Sequence, residues 1–153
     1  MTTLEAGPDS GLTVRKLTED DADPAAEFSG ELGYPVSTAE MRRRLEHLQL
    51  SCDRIALGAL LNEQLVGWID ASIERHLQSP DKVVIGGLVV RDGCRNLGIG
   101  KRLCHEIEKW AREKSIDVVR VRSQIARERA HRFYLRDGYR LVKTSAVFEK
   151  KVG

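Results

Sequence analysis

Residues 86–110 read GGLVVRDGCRNLGIGKRLCHEIEKW, and the order of chemistry within them decides the fold. A β-prone apolar run ends at Val90, and a turn-rich link then carries Gly98 and Gly100. From about Gly100 to Lys114 the pattern is helical, with Leu103, Ile107, Trp110 and Ala111 on one stripe. Strand, glycine loop, helix is the local order. A loop feeding a helix N-terminus presents unpaired N–H groups and the positive end of the helix dipole, so it suits an anion such as phosphate. Gly98 and Gly100 let backbone come close because no Cβ intervenes, and Arg95, Lys101 and Arg102 add positive charge. A plain strand-to-helix turn also uses a glycine pair, so the surroundings decide.

Two common phosphate loops fail here. A Walker A loop requires glycine where Arg95 stands and Ser or Thr where Arg102 stands. A dinucleotide fingerprint requires glycine at Leu103 and belongs after the first strand of a βαβ unit, not past mid-chain.

Working outward toward the N-terminus, KVVIGGLVV is nearly continuous in apolar character, as expected of a central strand covered on both faces. RIALGALL and QLVGWIDASIE are two further runs separated by Asn62 and Glu63, which predicts a hairpin. Ser37 and Glu40 have capping-box spacing, followed by Met41, Leu45 and Leu48 on one helical face. Ahead of a loop at Gly30 to Pro35, LTVRKL alternates like a strand, and Thr18 with Asp21 caps a short helix through EDDADPAAEFSG. The polar start, residues 1–11, reads as a mobile segment, leaving 12–153 as one domain.

Toward the C-terminus, DVVRVRS reads as a strand and ARERAHRFYLRD as a helix with Ala130 and Phe133 facing inward and Gly138 at its left-handed cap. YRLVK and AVFEKKV read as two closing strands. The expected architecture is α/β (α+β): a mixed, mostly antiparallel central sheet of roughly six to seven strands flanked by about four helices.

Composition narrows the function. With 41% hydrophobic and 31% charged residues the chain is an ordinary globular protein, and a formal charge of +2 is too small for a dedicated nucleic-acid binder. Arg42 to Arg44 fit the outside of an amphipathic helix. Cys52, Cys94 and Cys104 are an odd number without a CxxC pair, and His47, His76, His105 and His131 lack ligand spacing, so no disulfide framework and no metal are expected. No run approaches membrane-spanning length and no leader is visible, which predicts a cytoplasmic protein without a membrane partner.

Arg95-x-x-Gly98-x-Gly100 after GGLVV, together with VRVRSQIARERAHRFYLRDGY downstream, resembles the GCN5-related N-acetyltransferases (GNAT), and the resemblance covers essentially the whole chain. It implies an enzyme, an acetyl-CoA-dependent N-acetyltransferase that moves an acetyl group to a primary amine of a small molecule or peptide by direct attack in a ternary complex. Acetyl-CoA is then a co-substrate. Arg95, Asn96, Leu97, Gly98, Ile99, Gly100 and Lys101 would cradle its pyrophosphate, and Leu88, Val89 and Val90 would lie along its pantetheine arm, with a Val90 amide polarising the thioester carbonyl. Where the family often has an asparagine, this chain has Arg127, which can meet a phosphate directly. Tyr134, in the family's FY position, would be the general acid.

Acceptor and base are less legible. Asp70 and Glu74 share a strand face with His76 at the strand's end, so Glu74 is a candidate base beside two alternatives. Tyr34, Glu27, Glu31 and Asp70 are candidates to receive a cationic amine. Cys94 and Cys104 lack a recognisable His and carboxylate for an acyl-enzyme route. The rival reading is a non-catalytic acyl-CoA-binding regulator on the same fold. The edge near the C-terminus offers a homodimer contact, although the lysines in AVFEKK can equally guard it.

Overall fold

The computed structural model describes residues 11–94 and 97–153 of the chain. Two compact units divide at Arg122 and Ser123. The expected mobile start lies outside the described residues except for Gly11.

The first unit is a sheet in the order β1-β2-β3-β4-β5: β1 (Leu12–Lys16), β2 (Arg54–Leu61), β3 (Gln64–His76), β4 (Ser79–Val90) and β5 (Val119–Val121). The first three pairings are antiparallel and β4 pairs with β5 in parallel. The β2–β3 hairpin turns at Asn62 and Glu63, both at positive φ (51° and 68°), which matches the right-handed twist of its strands. β3 and β4 form a longer hairpin than the sequence shows. Their pairing runs out to His76 and Ser79, through Pro80 and Asp81, which lack the apolar alternation of a strand.

A 3-10 turn (Glu19–Asp21) leads into α1 (Ala22–Glu31); α2 (Thr38–Gln49) follows, and α3 (Ile99–Glu113) comes after β4. Thr18 closes the first turn as a capping box with Asp21, as expected. Ser37 Oγ accepts the Glu40 N–H at 3.0 Å, but the Glu40 carboxylate turns to Arg43 and Arg44 instead of completing the box. α1 and α2 cover one face of the sheet, where Ala22, Phe28, Met41, Leu45, Ala56, Leu60, Leu65 and Val89 share one core cluster with Trp68 against it. α3 covers the other face. Its Ile99, Leu103, Cys104, Ile107 and Ala111 recur at helical spacing and all are buried.

The second unit contains α4 (Glu128–Arg136) and the extended residues that follow. Its helix ends in a complete Schellman cap: Gly138 N–H donates to Leu135 O, Tyr139 N–H donates to Tyr134 O, and Gly138 has φ 92°. Ala130 and Phe133, expected inside, are half-buried.

The expected strand number is corrected from six or seven to five among the described residues, with four α-helices. YRLVK and AVFEKKV form no strand; Leu141, Val147, Phe148 and Val152 are exposed. β-propensity describes fit to a paired, half-buried surface, and a β-prone run without a ladder partner is simply extended chain.

Candidate active site

The β4 strand has two edges with different fates. Toward β3 it is paired down to Val90, but toward β5 pairing stops at Ile85↔Val121. From Gly86 to Val90 the outer edge therefore has no strand partner among the described residues. Register shows which groups face the opening. Arg91 N–H donates to Val66 O at 2.8 Å, so the adjacent pair Gly67↔Val90 is of the non-hydrogen-bonded kind. Hence the N–H and C=O of Val90, and by the same alternation those of Leu88, turn away from β3 into the open edge.

α3 begins close by in the chain. Gly98, at φ 76° and ψ 12°, is its N-cap, a left-handed conformation that a side chain would strain. Gly98 has no side chain to cap the helix, whose first turn holds no acidic residue. The first intrahelical bond is Arg102 N–H to Gly98 O, and the N–H groups of Ile99, Gly100 and Lys101 have no acceptor among the described residues, as suits an anion. Ile99 is buried and pins the helix start to the sheet, while Lys101 and Leu97 are exposed. Arg95 and Asn96, expected in the same loop, lie outside the described residues. An uncapped helix start in sequence with an open strand edge suits a long ligand with an anionic end and a carbonyl to polarise.

The carboxylates sort themselves by environment. Trp68 Nε1 donates to Ala25 O of α1, so Trp68, Asp70, Ser72 and Glu74 share the α1 face of β3. Asp70 opposes Gly87 where Gly86 bulges out of register. Its carboxylate lies against both glycines: a Cβ on Gly86 would come 3.0 Å from Asp70 Oδ2, and one on Gly87 3.3 Å from Oδ1. No larger residue fits Gly86 without displacing the acid. Burial pushes the Asp70 carboxyl above its ordinary value of 3.8, partly countered by the Gly87 N–H and the charge of Arg54.

Glu74 has the opposite surroundings. Arg122 donates to it from both terminal nitrogens at 3.2 and 3.3 Å, and His76 Nε2 lies 3.3 Å from Oε1. The Arg122 guanidinium is the main cause holding its carboxyl below the ordinary value of 4.5. Four residues of strand put Glu74 about 13 Å from Asp70, and thus further from Leu88 to Val90.

The remaining acceptor candidates lie on α1 and its following loop. Tyr34 is 54% exposed and its backbone is clamped twice, by Tyr34 N–H to Ser29 O and Ser29 Oγ to Tyr34 O. Glu31 is exposed, and its Oε1 accepts the Asp92 N–H at a long 3.5 Å just after β4. Glu27 and Asp23 line an open groove of about 640 Å³ between α1 and the start of α2, where Thr38 Oγ1 donates to Asp23. Asp23 and the Gly86 bulge were missed from sequence; a bulge leaves no signal beyond a paired glycine, although the spacing of Asp23 from Glu27 on one helical face was readable.

In the second unit Arg127 is the N-cap residue of α4, its N–H donating to Gln124 O. The Tyr134 ring packs edge-on between Phe133 and Tyr139, with centroids 5.2 and 5.7 Å away, in the turn closed by the Schellman cap.

A family model, the acetyltransferase (GNAT) family, matches residues 17–139. The chain belongs to this family. A curated relative, an aminoalkylphosphonate N-acetyltransferase of Salmonella typhimurium, is 36% identical over 83 residues, 54% of this chain and 54% of that protein. The chain thus matches about half the length of that relative. The fold agrees with an aminoglycoside antibiotic 6'-N-acetyltransferase of Acinetobacter baumannii at a TM-score of 0.82 and 18% identity, over 94% of this chain and 100% of that one. A second 6'-N-acetyltransferase, in complex with a CoA bisubstrate analogue, gives a TM-score of 0.82 at 14% identity over 92% and 99% of the two chains. A transcriptional regulator of Bacillus halodurans gives 0.81 at 19%, over 91% and 99%. At these identities the structural likeness speaks for the GNAT fold alone. Among the described residues no helix is long and apolar enough to cross a membrane.

Proposed function

We propose that this GNAT protein is an acetyl-CoA-dependent N-acetyltransferase that acetylates a primary amine of a small molecule or peptide by direct attack in a ternary complex. The observation that carries the reading is the succession along the chain of an unpaired β4 edge and an uncapped α3 N-terminus. Those two features fit a thioester carried on a pantetheine arm with a pyrophosphate at its far end. Leu88, Val89 and Val90 would run beside the arm, and the N–H groups of Ile99, Gly100 and Lys101 would hold the pyrophosphate, with Arg95, Asn96, Leu97 and Gly98 completing the loop. Arg127 would add a cation where the family often has an amide.

Acetyl-CoA supplies an activated acetyl group. The acceptor nitrogen attacks the thioester carbon, forming C–N while C–S breaks, and the Val90 N–H takes up the charge that grows on the carbonyl oxygen. The proton shed by the nitrogen goes to a carboxylate. Asp70 suits that role better than Glu74: it neighbours Gly87 next to the open edge, and burial raises its proton affinity, whereas Arg122 lowers that of Glu74. The departing sulfur takes a proton from Tyr134, on the family's placement of a tyrosine in this motif. Products are the amide and the free thiol of CoA, so charge and protons balance.

The curated relative is named for aminoalkylphosphonates and several fold neighbours for aminoglycosides, so small acid-bearing amines and polycationic amino sugars are the first acceptors to assay. Amine-dependent release of CoA thiol with stoichiometric amide formation supports the reading. Binding of acetyl-CoA without transfer to any amine would support the regulator instead. Tyr134→Phe is expected to slow turnover by about a hundredfold or more with little change in KM.

A further inference from the structure

On the α1 face of the sheet the apolar cluster stops at Ala56 of β2 and Trp68 of β3, and the next positions outward on these two strands are polar. Asp70 and Ser72 follow Trp68 along β3, and Arg54 precedes Ala56 on β2. Opposed residues of an antiparallel pair share a face, so the register Ala56↔Asp70 and Arg54↔Ser72 makes Arg54 a diagonal neighbour of Asp70. Diagonal neighbours stand about 7 to 8 Å apart, within reach of a long side chain.

The charges on this face divide into committed and uncommitted groups. Arg122 is bound in a fork to Glu74, and Lys82 Nζ donates to Ser79 Oγ and Pro80 O. Arg54, and Arg120 across Ser72 and Val84 on the same face, make no hydrogen bond or ion pair with a described residue, and of the two it is the charge of Arg54 that is felt at Asp70. Asp70 in turn accepts backbone N–H groups, from Gly87 and from its own residue, and no side chain. A guanidinium near a carboxylate ordinarily closes into a bidentate pair. Here the acid is held against Gly86 and Gly87, and it forms no such pair with Arg54.

We propose that Asp70 and Arg54 together read the acceptor: its amine meets Asp70, and an acidic group on the same small molecule is held by Arg54. The inference rests on the acetyl-transfer reading above and adds the substrate class, a primary amine with a carboxylate, phosphonate or phosphate a few atoms away. A neutral amine leaves Arg54 unpaired, and a polycation sets a like charge against it.

The test measures kcat/KM of the full chain with acetyl-CoA and four acceptors: β-alanine and 2-aminoethylphosphonate, n-propylamine as an amine without the acid, and spermidine as a polycation. The acid-bearing amines are expected to exceed both others by about tenfold or more, the scale of one charged hydrogen-bonded contact. Arg54→Gln should bring the ratio of β-alanine to propylamine close to one through KM, and Arg54→Lys should keep part of it. Lys109→Gln makes the same charge change at an exposed position of α3 and should leave the ratio as it was. Propylamine or spermidine turned over as well as the acid-bearing amines, or a ratio indifferent to Arg54→Gln, overturns the substrate class and leaves acetyl transfer standing. Failure of acetyl-CoA to bind at all, read by calorimetry on the same preparation, removes the acetyl-transfer reading itself and this inference with it.

Discussion

α2 and α3 begin in opposite ways. At α2, Ser37 caps the helix through its side chain and Glu40 sits in the first turn, so the free N–H groups and the dipole are answered by the protein itself. The turn before α1 is closed likewise by Thr18 and Asp21. At α3, a left-handed glycine replaces the cap, no acid follows, and Lys101 adds positive charge. α1 and α4 also start without a side-chain cap, but each carries an acid in its first turn, Asp23 and Glu128, so α3 is the helix whose start has neither cap nor acid, and that suits an anionic ligand. The same contrast separates the edges of β4, paired toward β3 and open toward β5 beyond Ile85.

Substitutions at these starts should therefore move different observables. Gly98→Val has the largest expected effect: a branched side chain at φ 76° costs about 1 to 2 kcal/mol in backbone strain, and the Cβ crowds the anion's approach, so acetyl-CoA affinity should fall well over tenfold. Lys101→Glu should weaken acetyl-CoA by about tenfold while leaving stability equal or higher by about 0.3 to 1 kcal/mol, because an acid suits an empty helix start and opposes an occupied one. Opposite signs in calorimetry and thermal unfolding would sharpen the contrast; a loss in both would break it.

At the closed starts only stability should change. Arg15 donates to Asp21 from both terminal nitrogens at 2.8 and 2.9 Å, which is the main cause holding the Asp21 carboxyl below its ordinary 3.8. An acid lowered on folding stabilises the native state above its unfolded value, and that contribution is lost as pH falls through the folded value. Asp21→Asn should thus cost about 1 to 2 kcal/mol near neutral pH, the low end reflecting a half-exposed Arg15, and the gap to wild type should close in urea unfolding below about pH 4. Ser37→Ala is the smallest, about 1 kcal/mol, with acetyl-CoA affinity unmoved.

The local signals were legible because local chemistry produces them. Thr18, Ser37, Asn62 with Glu63, Gly98 and Gly138 all act within a few residues, and each stands where its pattern placed it. What eluded the sequence depends on partners far along the chain. The Gly86 bulge sits against Asp70, sixteen residues earlier, whose carboxylate fills the space a side chain would need. β5 ends at Val121 while its parallel partner β4 runs on to Val90, which no run of valines announces. YRLVK and AVFEKKV carry β-propensity without a ladder to join. For the site, the anion loop was visible as a motif, whereas the division between Asp70 and Glu74 needed the register that sets one against Gly87 and the fork of Arg122 on the other.

The most direct measurement is a calorimetric titration of the protein with acetyl-CoA, with NAD and ATP alongside. One saturable site for acetyl-CoA in the micromolar range, weakened by Lys101→Glu and by Gly98→Val but not by Ser37→Ala, is the predicted result. Absence of acetyl-CoA binding, or binding that the α3 substitutions leave untouched, would contradict the assignment of this helix start as the coenzyme's anion site.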